Sequence, residues 1–436
     1  MRRIKEQLKS QSMTVRFLSN TGWLIFDKLF HMALSLVVTG MVSRHLGRHN
    51  YGVLNYGLAF IEIFTILCKL GIDGIIVNEL VKQKKHNGEI LGSTIVLRLI
   101  SSILSLGVTA VFVQILNPGD GMLLAVTMIQ SISLLFAAFD TLDFFFQSRL
   151  QSKYTALARS ISYPLVCLFR LALVYWKADT RWFSWATVLD ALTIGILLFY
   201  FYFRQKDHPK LSCSRQMMKT LLSGSHPFIL VNLLVTIYTQ MDKLMVGALS
   251  TQSEVGIYSA AMTVANLWIF VPNAIIDSGR PVIMSLKAEG REAEYEKRVR
   301  QLSAGIIWIS LLAGVFFSVF GRLVIGIIYG EGFLGAVPVL MFLIWSRLFS
   351  LLGSLRSVWM LCESQERKIK YFIALGACIN VAMNAALIPR VGAAGAAAAT
   401  LVTEAVSSFV ATGMYRKTRP LFRIYVEALR LKGCRN

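Results

Sequence analysis

The chain has 436 residues, of which 55% are hydrophobic and only 16% charged, and its formal net charge is +21. A soluble domain of this size would carry about 25% charged residues. The composition therefore excludes a surface covered wholly by water. Basic loops beside anionic lipid account for the charge without a nucleic-acid partner.

A helix needs about 20 apolar residues to cross a hydrocarbon core of about 30 Å. Segments that meet this requirement recur along the whole chain, at 19–43, 52–75, 90–116, 121–147, 154–176, 182–203, 221–247, 255–283, 302–328, 334–360, 369–389 and 393–415. No soluble domain fits between them. The expected fold class is an all-α polytopic membrane protein of about twelve transmembrane helices. The run from Trp23 to Val42 is long enough to span, and no small-residue cleavage site follows it, so it reads as a span rather than a cleaved signal.

Charge orients these spans. Of the 45 Lys and Arg, 30 fall in the two tails and the even-to-odd loops, and 6 fall in the odd-to-even loops. The remaining 9 lie inside spans. This split follows the positive-inside rule and predicts a multi-pass protein of the cytoplasmic membrane with both termini in the cytoplasm. The six cysteines, Cys68, Cys167, Cys213, Cys362, Cys378 and Cys434, form no C-x-x-C pair and suggest neither a disulfide framework nor a zinc site.

A shift of 204 residues superposes the two halves. Gly52 falls on Gly256 and Asp73 on Asp277, while Thr21, Lys28, Ser35 and Thr39 fall on Ser225, Asn232, Thr239 and Lys243. Six spans separate the copies, so the halves run in the same direction about an axis along the membrane normal. Two six-helix lobes are expected, 1–210 and 211–436, with a cleft between them.

Four spans carry polar stripes. At about 100° per residue, Lys28, His31, Ser35, Thr39 and Ser43 share one face of span 1, with Asp27 at its edge. Span 2 stacks Asn55, Glu62, Lys69 and Asp73, and span 7 stacks Ser225, Asn232, Thr236, Thr239 and Lys243. Span 8 stacks Ser259, Thr263, Asn266, Asn273, Asp277 and Arg280. A charge facing lipid at a helix centre costs about 2.5–3.5 kcal/mol or more, so these faces should line one water-filled cavity. The bland alternative is helix-to-helix hydrogen bonding by Ser, Thr and Asn. Lys69–Asp73 reads equally well as a structural pair four residues apart, and Asp242–Lys243 as another local pair. Arg347 lies near the middle of span 10. Arg98, Arg159 and Arg356 sit nearer the span ends and are expected to snorkel, whereas Asp140 and Asp143 read as cap or packing residues. Glu404 is the deepest acid of the second half.

Several stretches carry a family resemblance. Arg44-His-Leu-Gly-Arg-His-Asn-Tyr-Gly52 with Val-Leu-Asn-Tyr-Gly-Leu-Ala-Phe60 resembles the helix 1–2 signature of Wzx-type polysaccharide repeat-unit flippases. These serve O-antigen and capsule synthesis and belong to the multidrug/oligosaccharidyl-lipid/polysaccharide exporter superfamily. Leu70-Gly-Ile-Asp-Gly-Ile-Ile-Val77, Phe145-Phe-Gln-Ser-Arg-Leu-Gln-Ser-Lys-Tyr154, Tyr238-Thr-Gln-Met-Asp-Lys-Leu-Met-Val-Gly247, Tyr329-Gly-Glu-Gly-Phe333 and Leu387-Ile-Pro-Arg-Val-Gly392 are similar to its later motifs, in the same order. One departure is Asn78, where the family pattern carries arginine.

The resemblance implies a MATE-like fold and a non-enzymatic transporter. Its cargo would be an undecaprenyl-pyrophosphate-linked oligosaccharide, moved from the inner to the outer leaflet by alternating access. Membrane lipids, a polysaccharide polymerase and chain-length proteins would be its neighbours. Such a head group calls for cations, supplied by Lys28, Lys243, Arg280 and Arg347, and for sugar-binding groups, supplied by His31, Asn232, Thr236, Asn266 and Asn273. Asp27, Glu62, Asp277 and Glu404 are candidates for H⁺ or Na⁺ coupling, with no other cofactor expected. A drug or cation exporter of the same architecture is the second reading. A membrane polymerase or ligase is the third, and short outer loops speak against it.

Overall fold

The computed structural model describes residues 2–431, with side chains for Met32 and for residues 34–431 except Val231. Asp27, Lys28 and His31 therefore lie outside the described side chains. The first helical run, Arg2–Lys69, departs from helical geometry only at Gly47, with φ 69° and ψ 170°, a conformation open to glycine alone. It is two helices, α1 (2–46) and α2 (48–69). Ser35 and Leu58 line one small cavity, yet a straight helix would hold them about 35 Å apart. The chain must reverse at Gly47.

The same device closes the other end of the chain. The run Ile369–Glu404 breaks at Gly392, with φ 57° and ψ −135°. Asn380 before the break and Thr400 after it both bond the carboxylate of Asp242, where a straight helix would separate them by about 30 Å. These are α11 (369–391) and α12 (393–414). Glu254 caps the new helix by accepting from the backbone N–H of Ala393 at 2.8 Å.

Between these hairpins lie α3, Asn87–Leu116; α4, Gly121–Ser148; α5, Lys153–Tyr175; α6, Thr180–Arg204; α7, Arg215–Leu249; α8, Gln252–Trp268 with Phe270–Ala288; α9, Glu292–Tyr329; and α10, Ala336–Cys362. A surface helix, α13 (Arg419–Leu429), follows them. Among the described residues, eight runs are long and apolar enough to cross a membrane, or ten with the two bent pairs α7 and α8. Two of those runs double back at glycine, so the architecture of about twelve passes stands.

The sequence expectation needs one change at the end of α2. The helix stops at Lys69 rather than near residue 75. Leu70 and Gly71 both take positive φ, and Ile72–Gly74 forms a separate turn. The cause is contact. A side chain on Gly71 would collide with the backbone of Ser225 and Ile229 on α7, so the chain bends where it meets that helix. Asp73 thus leaves the helical stripe of α2.

Three apolar cores hold the helices. One draws only on residues between Ile72 and Leu221, a second only on residues between Ile276 and Ala428, and a third joins both halves. Leu221 and Met217, at the start of α7, pack into the first of these. The helix then bends by 40° between Leu230 and Asn232. In α8 the 41° bend falls between Trp268 and Phe270. Pro272 explains it, because proline has no N–H for the carbonyl of Trp268.

One end of the bundle is closed across the two halves. Here α2 and α8 meet backbone to backbone. A side chain on Gly52 would strike the carbonyl of Gln252 and the N–H of Gly256, and one on Gly256 would strike the carbonyl of Arg48 and the N–H of Gly52. Both pairs obey the 204-residue shift, so the contact is locally twofold. Arg44 of α1 donates to the terminal carbonyls of α9, including Ile328 at 3.1 Å, and Gln252 donates to Asp120 at 2.7 Å. We call this the sealed end and the opposite one the basic end.

Valine at Gly52 or Gly256 should force the sealed end apart. A cysteine at Thr263, which lines the small cavity beneath, should then react faster with a membrane-impermeant thiol reagent applied from that side. Gly107→Val, where open space surrounds the glycine, should change nothing. Unchanged labelling in the Gly52 and Gly256 variants, at normal membrane abundance, would show that the contact is not the barrier.

Candidate substrate cavity and ion site

A polar hollow lies at the break in α8. It has a volume of about 680 Å³ and is lined by Met32 of α1 and by Asn266, Ile269, Phe270, Asn273, Ala274, Asp277 and Ser278 of α8. A broken helix at membrane depth leaves backbone groups unpaired and free to meet a ligand. Asn266, Asn273 and Asp277, three residues singled out from the sequence, therefore share one chamber. Arg347 of α10 joins them: its Nη2 donates to Asn266 Oδ1 at 2.8 Å, and its Nε has no protein partner. Arg280, one turn beyond Asp277, is exposed.

A second polar hollow, of about 250 Å³, sits nearer the sealed end. Ser35 and Thr39 continue the α1 stripe into it, Asn55 comes from α2 and Thr263 from α8. Arg170 of α5 and Gln130 of α4 also line it. Arg170 is one of the 9 Lys and Arg that lie inside the predicted spans. Its spacing on α5 gave no sign that it would meet the α1 stripe.

The α7 residues stand apart from both chambers. Asn232 and Thr239 are exposed, and Thr236 and Lys243 are half-buried. None of them lines either hollow. Lys243 lies in the electrostatic field of Glu62 across the seam with α2. Glu62 itself is exposed.

The most fully satisfied acid is one that sequence reasoning read as a local partner of Lys243. Asp242 is 6% exposed and accepts from Tyr258 at 2.6 Å, Thr400 at 2.6 Å, Asn384 at 2.7 Å and Asn380 at 3.0 Å. It makes no ion pair with Lys243 among the described residues. Four neutral donors from three other helices converge on one carboxylate, which ties α7, α8, α11 and α12 together. Asn384 Oδ1, buried in the same cluster, is left without a donor. A buried negative charge beside an unpaired oxygen is chemistry that suits a hard cation. Beyond the Asn380–Asn384 step on α11, spacing could not reveal this cluster, because its members come from four helices.

Glu404 is held differently. Tyr238 of α7 donates to it at 2.8 Å and Ser408 at 3.1 Å, and a π-helical turn, Ala405–Val410, begins directly after it. Nearby, Arg356 is 5% exposed and donates to the carbonyl of Ser407 at 2.6 Å. It also stacks over Phe372 at 4.0 Å. In the first half Arg98 is wholly buried and bonds Asp73, which also meets Lys69 at 3.6 Å. Neither Arg98 nor Arg356 snorkels as expected, because each finds an acceptor inside the protein. Arg159 does reach outward, with its side chain 66% exposed beside Asp143. The Lys69–Asp73 pair that the four-residue spacing allowed does form.

Comparison with known proteins places this geometry. The chain shares 28% identity over 254 residues with the probable flippase AglR of Haloferax volcanii, covering 57% of this chain and 52% of that protein. The chain thus spans about half the length of that curated relative. In three dimensions it resembles an inward-facing multidrug resistance MATE family transporter of the MOP superfamily, with a TM-score of 0.73, 15% identity and coverage of 92% and 96% of the two chains. It also resembles the lipid II flippase MurJ in an inward closed conformation, with a TM-score of 0.72, 13% identity and coverage of 93% and 90%. At such identities these likenesses establish the fold, which is MATE-like. Residues 17–287 match the family described as polysaccharide biosynthesis protein, more than half of the chain, and the chain belongs to that family.

Proposed function

We propose that the protein is a flippase that carries an undecaprenyl-pyrophosphate-linked oligosaccharide repeat unit from the cytoplasmic to the outer leaflet by alternating access. The observation that supports this most is the 680 Å³ chamber lined by Asn266 and Asn273, with the Arg347 guanidinium bonded to Asn266. Amides there can bond sugar hydroxyls, and the guanidinium can hold a phosphate oxygen. In this reading Lys28 and Arg280, toward the basic end, and Lys243, toward the sealed end, meet the diphosphate at both mouths. His31, Asn232 and Thr236 would complete the path for the sugars. The two halves, 1–210 and 211–436, would rock against each other. A polymerase and chain-length proteins would receive the product.

Alanine at Lys28, Lys243, Arg280 or Arg347 should lower surface polysaccharide roughly ten- to hundredfold, the worth of one charge-assisted contact, at normal membrane abundance. Lysine-to-arginine changes should be partly tolerated, because the demand is for charge. Reduced abundance with normal polysaccharide per molecule would assign these cations to folding instead. A cation-exporter reading draws on Asp277, the one ionisable side chain among the described residues that line the chamber, which Arg347 meets only through Asn266. It gains ground if deletion leaves polysaccharide intact and sensitises cells to organic cations.

The basic end belongs in the cytoplasm on this reading, with both termini there. In intact cells lacking the natural cysteines, Pro118→Cys and Gly332→Cys should label from outside, whereas Lys85→Cys and Glu289→Cys should not. The reverse pattern would invert the topology.

Coupling to H⁺ or Na⁺ is part of the proposal. Asp27, Glu62, Asp277 and Glu404 are available acids, and the donor set around Asp242 favours that residue. Flipping in proteoliposomes should respond to an imposed Na⁺ or proton gradient, and Asp242→Asn should abolish the response. An unaltered response in Asp242→Asn would move the coupling site to one of the other acids.

A further inference from the structure

The seam between α2 and α7 is pinned at two points and open between them. Toward the sealed end, Gly247 of α7 lies against the ring of Tyr56. Toward the basic end, Gly71 lies against the backbone of Ser225 and Ile229. Glycine permits each close approach. From between the pins to just past Gly247 the helices flank a hollow of about 460 Å³, whose lining is entirely apolar. Ile63 and Phe64 come from α2, Phe112 from α3, and Ile237, Met241 and Met245 from α7. Phe64 and Phe112 meet edge to face at 5.5 Å between centroids.

The hollow lies back to back with the polar stripes. On α7 the hollow-lining residues are centred about 160° around the helix from Asn232, Thr236, Thr239 and Lys243. On α2 they are centred about 150° from Asn55, Glu62 and Lys69. The wall between the polar faces and the apolar hollow is therefore one helix thick, and both helices that make it are amphipathic in the same sense.

We propose that this seam is the slot through which the polyprenyl chain of a lipid-linked pyrophosphate passes, its head group in the polar interior and its tail in the bilayer. This rests on the flippase reading and adds the route of the tail. A diphosphate cannot leave the aqueous chamber for hydrocarbon, and a long isoprenoid cannot enter the chamber. The wall must have an apolar slit for a molecule that is both. The open seam offers one at membrane depth, and the flexible side chains of Met241 and Met245 can shape themselves to a branched chain.

The test uses the purified protein in lipid nanodiscs with two probes, undecaprenyl pyrophosphate and the short-chain citronellyl pyrophosphate. Ile63→Trp and Ile237→Trp fill the slot. Each should weaken binding of the long-chain probe about tenfold and leave the short-chain probe unchanged. A second arm places benzoylphenylalanine at Met241 and, as control, at Leu312, a 69% exposed residue of α9. Only the Met241 position should cross-link radiolabelled undecaprenyl pyrophosphate, and excess phosphatidylglycerol should not compete. Should the tryptophan variants fail to form monodisperse protein, the cross-linking arm decides. The slot is refuted if long and short probes bind the wild type equally, if filling it affects neither, or if phosphatidylglycerol removes the adduct. If the wild type binds neither probe, the flippase reading falls and takes the slot with it.

Discussion

Hydrocarbon offers no hydrogen bonds, so every charge and every freed backbone group at membrane depth must find its partner inside this protein. That constraint accounts for most of what is unusual in the bundle. Arg98 turns inward to Asp73, and Arg356 turns inward to the Ser407 carbonyl. The carboxylate of Asp242 gathers hydroxyls and amides from α8, α11 and α12. Arg44 satisfies the last carbonyls of α9, which its helix end would otherwise leave bare. All but the Arg98–Asp73 pair tie together helices that lie far apart in the sequence.

The places where the constraint is relaxed are equally informative. Pro272 frees a carbonyl in the middle of α8, and the break opens onto the polar chamber rather than onto lipid. The π-helical turn after Glu404 loosens α12 beside an acid held by Tyr238 and Ser408. Irregular backbone at membrane depth is tolerated where it is buried in protein or lines a cavity. Both irregularities obey this rule, and both adjoin side chains with chemistry to offer.

What the sequence made legible follows from the range of its signals. Hydropathy and charge bias are local sums over some 20 residues, so the twelve passes could be read directly. The 204-residue repeat placed Gly52 on Gly256, and the two meet at the sealed end. Of the α8 stripe, Asn266, Asn273 and Asp277 line one hollow and Thr263 the other, while Arg280 is exposed. Periodicity fails where helices bend or where partners come from elsewhere. It carried the α2 stripe through Leu70 and Gly71 to Asp73, although positive φ breaks the helix there. It could not join Arg170 to the α1 stripe, nor assemble the donors around Asp242, because neither association has a spacing.

The Gly52–Gly256 crossing has a kinetic consequence. Most helix interfaces interlock, and parting them requires side chains to withdraw from holes and change rotamer. Here two backbones meet with nothing projecting between them. Such a surface parts and re-forms as a hard face, in register each time, because no alternative side-chain arrangement exists in which it could reseat wrongly. The rate of parting is then governed by the rocking of whole helices on the microsecond-to-millisecond scale, by the Arg44 and Gln252 hydrogen bonds that flank the crossing, and by the shared apolar core to which Tyr51, Val53, Val255 and Ile257 beside the two glycines belong.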